Sequence, residues 1–238
     1  MKKYILFFSL IATVLLVSGC TTFDPTAFNP EKRYAVISTF MVSKIDLAAG
    51  VHVQDDEKKA VLLKSNKIIN QFVTNYLAGF KRHTPFKVTY GRKVTSTNYY
   101  RRLKFKGNTG VFGAIEHDFV TASGYKRAGR ADIPDMGKHA RALGYDGVII
   151  VYHQVRLQMY GSSRSGQLAP YVKSIMGAYD RMGKEVMLDI ASYEVPETLR
   201  VKDGKVYGFD KTYQLLLNHA QDAGRYMADR INNKLKAK

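Results

Sequence analysis

The chain has 238 residues, 37 Lys plus Arg against 20 Asp plus Glu, a formal net charge of +17 and one cysteine. A chain this long with 45% apolar residues can bury a sizeable core, and its charged fraction is that of a globular protein rather than a disordered one. The single cysteine excludes an intramolecular disulfide, so stability must come from burial.

Met1-Lys2-Lys3 gives a positive start, and Tyr4 to Val17 is an apolar run broken only by Ser9 and Thr13. Small residues follow directly, as in a secretory signal peptide. The run is shorter than the roughly 20 residues of a spanning helix. The end of Leu16-Val17-Ser18-Gly19-Cys20 resembles the lipobox of bacterial lipoproteins, with Val17 where that family more often has Leu. The resemblance implies that Cys20 becomes the first mature residue and carries diacylglycerol, so that the membrane is a partner through the lipid. Thr21 stands where inner-membrane retention in proteobacterial lipoproteins typically has Asp. In a Gram-negative source that implies the periplasmic face of the outer membrane. Residues 1–19 are thus read as signal peptide and residues 20–32 as lipidated N-terminus and tether. The stretch Thr21 to Glu31 has two prolines and no amphipathic period. Extended, it would span about 36 Å at about 3.3 Å per residue.

The remainder, 33–238, reads as a single α/β domain. Arg33 to Val42 is apolar on both alternating faces, which predicts a strand buried on both sides. Ile45 to Asp56 reads as a loop. Glu57 to Arg82 predicts a helix with Leu62, Ile69, Phe72, Tyr76 and Phe80 at helical spacing, ended before Pro85. Phe86 to Tyr90 alternates as a short strand. Gly91 to Arg130 reads as a long basic excursion that could include a hairpin. Asp132-Ile133-Pro134 starts a helix that Gly144 ends. Val148 to Met159 is a strand, apolar on both faces at first and alternating later. Tyr160 to Gln167 reads as a flexible loop. Ser174 to Tyr179 pairs with Glu185 to Tyr193, and Thr198 to Lys202 with Val206 to Phe209 across Asp203-Gly204. Asp210 caps a long terminal helix running to Leu235.

This order predicts an α/β domain with a mixed sheet flanked by helices and a long C-terminal helix. The order, with the hairpin at Asp180 and Gly183-Lys184-Glu185, is similar to envelope-assembly lipoproteins of the curli-secretion and penicillin-binding-protein-activator type.

Charge is unevenly distributed. Between Glu57 and Glu116 there are 13 Lys or Arg and no acid. Such a field attracts anions. In an exported lipoprotein the polyanions are phospholipid headgroups, lipopolysaccharide phosphates and peptidoglycan carboxylates, and nucleic acid is not expected. The densest part interleaves Arg101, Arg102, Lys104 and Lys106 with Tyr99, Tyr100 and Phe105. Arg forks suit phosphate and carboxylate, and aromatics suit sugars or a membrane surface. Tyr99, Tyr100, Arg101, Arg102, Lys104 and Lys106 are therefore the predicted anion-binding surface.

Catalytic signals are thin. The 161–166 segment Gly-Ser-Ser-Arg-Ser-Gly lacks nucleophile-elbow spacing, and no phosphate-cradling or dinucleotide glycine motif occurs. No cofactor is expected. None of the six histidines pairs with another at zinc spacing, and Glu116-His117-Asp118 would point alternately in a strand, so no metal site is assigned. His153, on an apolar face with Val151 and Val155, reads as a hydrogen-bonded core residue. The sequence thus describes a lipid-anchored binding or assembly protein that docks on an envelope complex or anionic envelope polymer. The alternative is a hydrolase of envelope polymers, which requires Glu116, Asp118, Asp146, Asp189 and His153 to converge.

Overall fold

The computed structural model describes residues 22–28, 30–42, 45, 52–53, 66–106 and 119–237. Its centre is a mixed sheet whose strands run in the order β2-β9-β8-β6-β5-β1-β3. These are β1 (Arg33–Val42), β2 (His52–Val53), β3 (Lys87–Thr89), β5 (Gly147–Gly161), β6 (Ser165–Asp180), β8 (Leu199–Lys202) and β9 (Lys205–Tyr207). Strand β4 (Phe119–Thr121) lies antiparallel against the end of β1, and β7 (Glu185–Glu194) against β6. Strands β3 and β5 both run parallel to β1.

Helices cover both faces. On one lie α1 (Asn66–His83), α5 (Lys211–Asn218) and α6 (Ala220–Lys236). There Phe72, Tyr76, Phe80, Met227 and Ile231 pack on Val36, Ile149, Val151 and Val155. On the other lie the short helices α2 (Arg92–Thr95) and α3 (Asn98–Arg102) and the helix α4 (Met136–Leu143). Val94, Tyr100, Met136 and Ala140 pack there on Ile37, Val148, Ile150 and Tyr152. This two-sided burial is why β1 and the start of β5 are apolar on both faces. Among the described residues no helix is long and apolar enough to cross a membrane.

A register shift between Val36 and Ser38 bulges β1. Before it even-numbered residues face α1, as Tyr34 and Val36 do; after it Met41 does, while Phe40 and Val42 face the other layer. A one-residue bulge changes the parity of the alternation in this way.

Several expectations change. The described part of the first helix begins at Asn66, and residues 57–65 lie outside the description. The segment expected as a loop at 45–56 contains β2, which pairs in parallel with β9. In the 91–130 excursion no hairpin occurs among the described residues; α2, α3 and β4 stand there instead. The loop expected at 160–167 is a tight reversal, because the β5–β6 ladder continues to Gly161↔Gly166. The terminal helix breaks at His219 into α5 and α6, and Asp210 makes no side-chain capping bond.

The expected tether is also not free from Thr22 onward. Thr22 O accepts from Leu188 N, and Asp24 N donates to Val186 O, so the segment adds a short antiparallel stretch to β7. Asp24 binds the Thr26 and Ala27 amides and the Lys184 ammonium at 2.8 Å, which holds its carboxyl well below the usual range. Phe28 is fully buried, 3.9 Å from the Phe86 ring and 4.9 Å from that of Tyr34.

The helices α1 and α6 cross backbone to backbone. A Cβ on Gly224 would lie 2.0 Å from Tyr76 O, and one on Gly79 would lie 2.1 Å from Gln221 O. Glycine is required there because no side chain fits. Gly224→Ala should therefore push the helices apart and cost about 3 kcal/mol, read as a lowered urea midpoint; an unchanged midpoint would show that the crossing is not tight.

Candidate functional site

Helix α3 is one turn and a half, started by Thr97, whose hydroxyl accepts from Tyr100 N. Its C-terminal carbonyls are met by one ammonium. Lys126 Nζ donates to Tyr100 O at 3.0 Å, to Arg101 O at 2.8 Å and to Leu103 O. A cation at a helix C-terminus is favourably placed, and this one fixes the direction of the chain leaving α3. Asp132, buried in the 3-10 turn Arg130–Asp135, fixes the next stretch. Its Oδ1 accepts from Lys106 N at 2.6 Å and its Oδ2 from Gly129 N at 2.7 Å.

Residues 98–106 are thereby held opposite α4, across an open cleft of about 590 Å³. Asn98, Tyr99, Arg102, Leu103 and Lys104 line one wall, and Asp132, Asp135, Lys138 and His139 the other. The Tyr99 hydroxyl lies 2.8 Å from His139 Nδ1. Burial pushes the His139 pKa down and the Tyr99 pKa up, so a neutral imidazole meets a neutral phenol.

The predicted anion-binding surface is therefore divided. Arg101, Arg102 and Lys104 are exposed, and Arg102 and Lys104 face the cleft. Lys106 is exposed but its ammonium pairs with Asp135 at 3.3 Å. Tyr99 is half-buried in the cleft wall. Tyr100 is not a surface residue. It is 1% exposed, donates to Ile37 O at 2.7 Å and accepts from Lys126 N at 2.8 Å. Sequence alone did not point to Lys138, which joins the cations from α4, or to the acids Asp132 and Asp135, which approach only in space. Their positions flanking the start of α4 were the available signal. Cys20 lies outside the described residues.

No family model matches this chain, and no curated protein matches it. Several solved structures resemble it distantly, among them the following three. The hypothetical protein CT253 from Chlamydia trachomatis is 12% identical with a TM-score of 0.35, over 87% of this chain and 99% of that one. Lipoprotein GNA1162 from Neisseria meningitidis is 12% identical with a TM-score of 0.31, over 80% and 99%. The PelC dodecamer from Paraburkholderia phytofirmans is 9% identical with a TM-score of 0.23, over 85% and 94%. Likeness this distant assigns neither family nor activity.

The residues required by a hydrolase do not converge where they are described. Asp146 directly precedes β5; it accepts from Arg33 N and pairs with Arg181 at 3.7 Å. His153, within β5, is seven residues further on, about 23 Å away at about 3.3 Å per residue. Asp189 is fully buried, with Arg230 at 3.2 Å and Lys234 at 3.0 Å on the same oxygen. Glu116 and Asp118 lie outside the described residues. His153 Nδ1 is 2.9 Å from Ser174 Oγ, the contact of a base and a nucleophile. Both residues are buried, however, and the Phe72 and Tyr76 rings stand edge-on to the imidazole at 5.3 and 4.5 Å. The pair is a core hydrogen bond, as its position on an apolar face predicts.

Burial holds the His153 pKa at about 3, against 6.5 for an ordinary histidine. The unfolded chain takes up a proton below about pH 6.5 that the native chain refuses until about pH 3. His153 therefore lowers stability as pH falls through that window. The stability difference between wild type and His153→Gln should shift against wild type by roughly 1.4 kcal/mol per pH unit below 6.5, measured by urea unfolding at pH 7 and pH 5; parallel pH curves would refute the neutral buried ring.

Proposed function

We propose that this chain is a lipid-anchored envelope binding protein, attached through diacylglycerol on Cys20, whose α3–α4 cleft receives an anionic group. In a Gram-negative source the reading includes delivery to the outer membrane, on the strength of Thr21. The partner is an anionic envelope polymer or an envelope complex that presents phosphate or carboxylate.

One observation carries the binding reading. Among the described residues the acids of the cleft are engaged while its cations are not. Asp132 accepts two backbone amides and Asp135 pairs with Lys106. Arg102, Lys104 and Lys138 are exposed and have no ion pair with another described residue. A guanidinium fork and two ammonium groups beside the Tyr99 ring suit a phosphate or carboxylate on an amphipathic carrier.

Lipidation predicts a mature wild-type chain that begins at Cys20, carries acyl mass and sediments with outer-membrane markers. Cys20→Ser should retain residues 1–19. Intact mass and gradient fractionation decide it, and an unacylated wild type would sink the anchor.

For the cleft, each cation near an anionic surface contributes about 1 kcal/mol. Reversing Arg102, Lys104 and Lys138 to Glu in a chain starting at Thr22 should therefore weaken binding to phosphatidylglycerol vesicles or purified sacculi by roughly a hundredfold or more at low salt. Wild-type binding should fall as salt screens the charges. Co-sedimentation measures both, and binding that ignores salt or survives the reversal would remove the cleft from consideration.

A further inference from the structure

Beyond residue 155 the β5–β6 ladder continues with β8, β9 and β2 as an arm, exposed on one face and buried on the other, where Leu157, Leu168 and Val201 join Phe209 and Leu216 in the core. The registers align one residue from each strand: Tyr160 opposite Gln167, Gln167 opposite Arg200, and Arg200 opposite Tyr207. The next rung is Ser165, Lys202 and Lys205. Directly paired residues share a face, so all seven project from one side of the arm. The opposite side is the core side, where Leu168, Leu199, Val201 and Val206 are buried.

Tyr160 and Tyr207 are 46% and 44% exposed, three strand spacings apart, or about 14 Å. The Tyr160 hydroxyl donates to Glu194 on β7, so its side chain reaches across β6 and lies along the sheet. Arg200 stands between the two tyrosines. Lys202 and Lys205 face each other directly across the Asp203-Gly204 turn, an arrangement of like charges that destabilises a sheet pair. Arg200, Lys202 and Lys205 are exposed and have no ion pair with another described residue. The adjoining β5–β6 turn adds Arg164, whose carbonyl accepts from Gly204 N at 3.3 Å. Asp203 is the one acid of the β8–β9 turn.

A row of two aromatic rings with a guanidinium and an amide between them, beside ammonium groups that have no ion pair among the described residues, matches a linear polymer that has both sugar faces and regular negative charge. We propose that this face of the arm binds an anionic polysaccharide, independently of the α3–α4 cleft. Lipid headgroups fit it less well. Among the described residues the exposed large apolar side chains are Met182 and three tyrosines, and the arm carries only Tyr160 and Tyr207. Among the described residues it offers no exposed aliphatic side chain for insertion, and Gln167 and Ser165 complete a polar surface.

The test uses the full chain in neutral detergent and fluorescently labelled polygalacturonate as probe, read by anisotropy. Wild type should bind, neutral dextran should not compete, and micelles doped with phosphatidylglycerol should compete weakly. Arg200→Glu with Lys202→Glu and Lys205→Glu should weaken binding at least tenfold. Tyr160→Ala with Tyr207→Ala should weaken it several-fold while leaving its salt dependence unchanged. Reversal of Arg102, Lys104 and Lys138, cleft cations that also suit carboxylate, should weaken it less than the arm triple does, and a loss confined to the cleft reversal would overturn the proposal. If the Glu triple is misfolded by circular dichroism, the corresponding Gln triple replaces it with the same expectation. Absence of wild-type binding, full retention in the arm variants, or competition by phosphatidylglycerol micelles equal to that of unlabelled polymer would overturn the proposal.

Discussion

The β5–β6 ladder determines where everything else lies. It runs without interruption from Gly147↔Asp180 to Gly161↔Gly166. The first nine residues of β5 are buried and most of the last six are not. One half therefore supports a helical layer on each face, while the other half is covered on one face and open on the other. A strand of this length spans about 50 Å at about 3.3 Å per residue, more than the helices above it can cover. The cleft and the arm face are consequently built on one rigid ribbon, and neither can move far relative to the other without breaking ladder hydrogen bonds.

The strongest sequence signals were those set by local burial. The two-sided apolar runs of β1 and early β5, the helical stripe around Phe72 and Tyr76, and the Asp203-Gly204 reversal all follow from such burial or from turn chemistry. The β1 bulge gave no signal, because both parities of that strand are apolar. The start of β6 was hidden by Gly166, Gln167 and Pro170, residues that weaken a strand pattern when neighbours are unknown. Tyr100 looked like a surface aromatic among cations, yet a helix as short as α3 turns one of its few side chains inward, and its hydroxyl finds Ile37 O there. The segment with Pro25 and Pro30 looked extended and free. Phe23 and Phe28 were the signs that it docks, and each needed the β7 edge or the Phe86 ring to be seen as such. The arm's aromatic row required the cross-strand register, which spacing within one strand does not supply.

The excess of positive charge is distributed by role. Lys126 closes a helix end, Lys184 holds Asp24, Lys106 holds Asp135, and Arg230 with Lys234 neutralises the buried Asp189. A buried carboxylate is tolerable only when its desolvation is offset by partners of this kind. Among the described residues the cations of the cleft and the arm have no such ion pair. That difference, rather than the net charge, is what the proposed binding surfaces rest on.

The docking of Thr22 to Phe28 sets a limit on reach. Between Cys20 and the first residue fixed to β7 there are two peptide units, no more than about 7.6 Å of chain. On the lipid-anchored reading, the domain is moored to the bilayer like a boat on a short line and cannot range far from it. Anything it engages must come close to the membrane, or be anchored there itself.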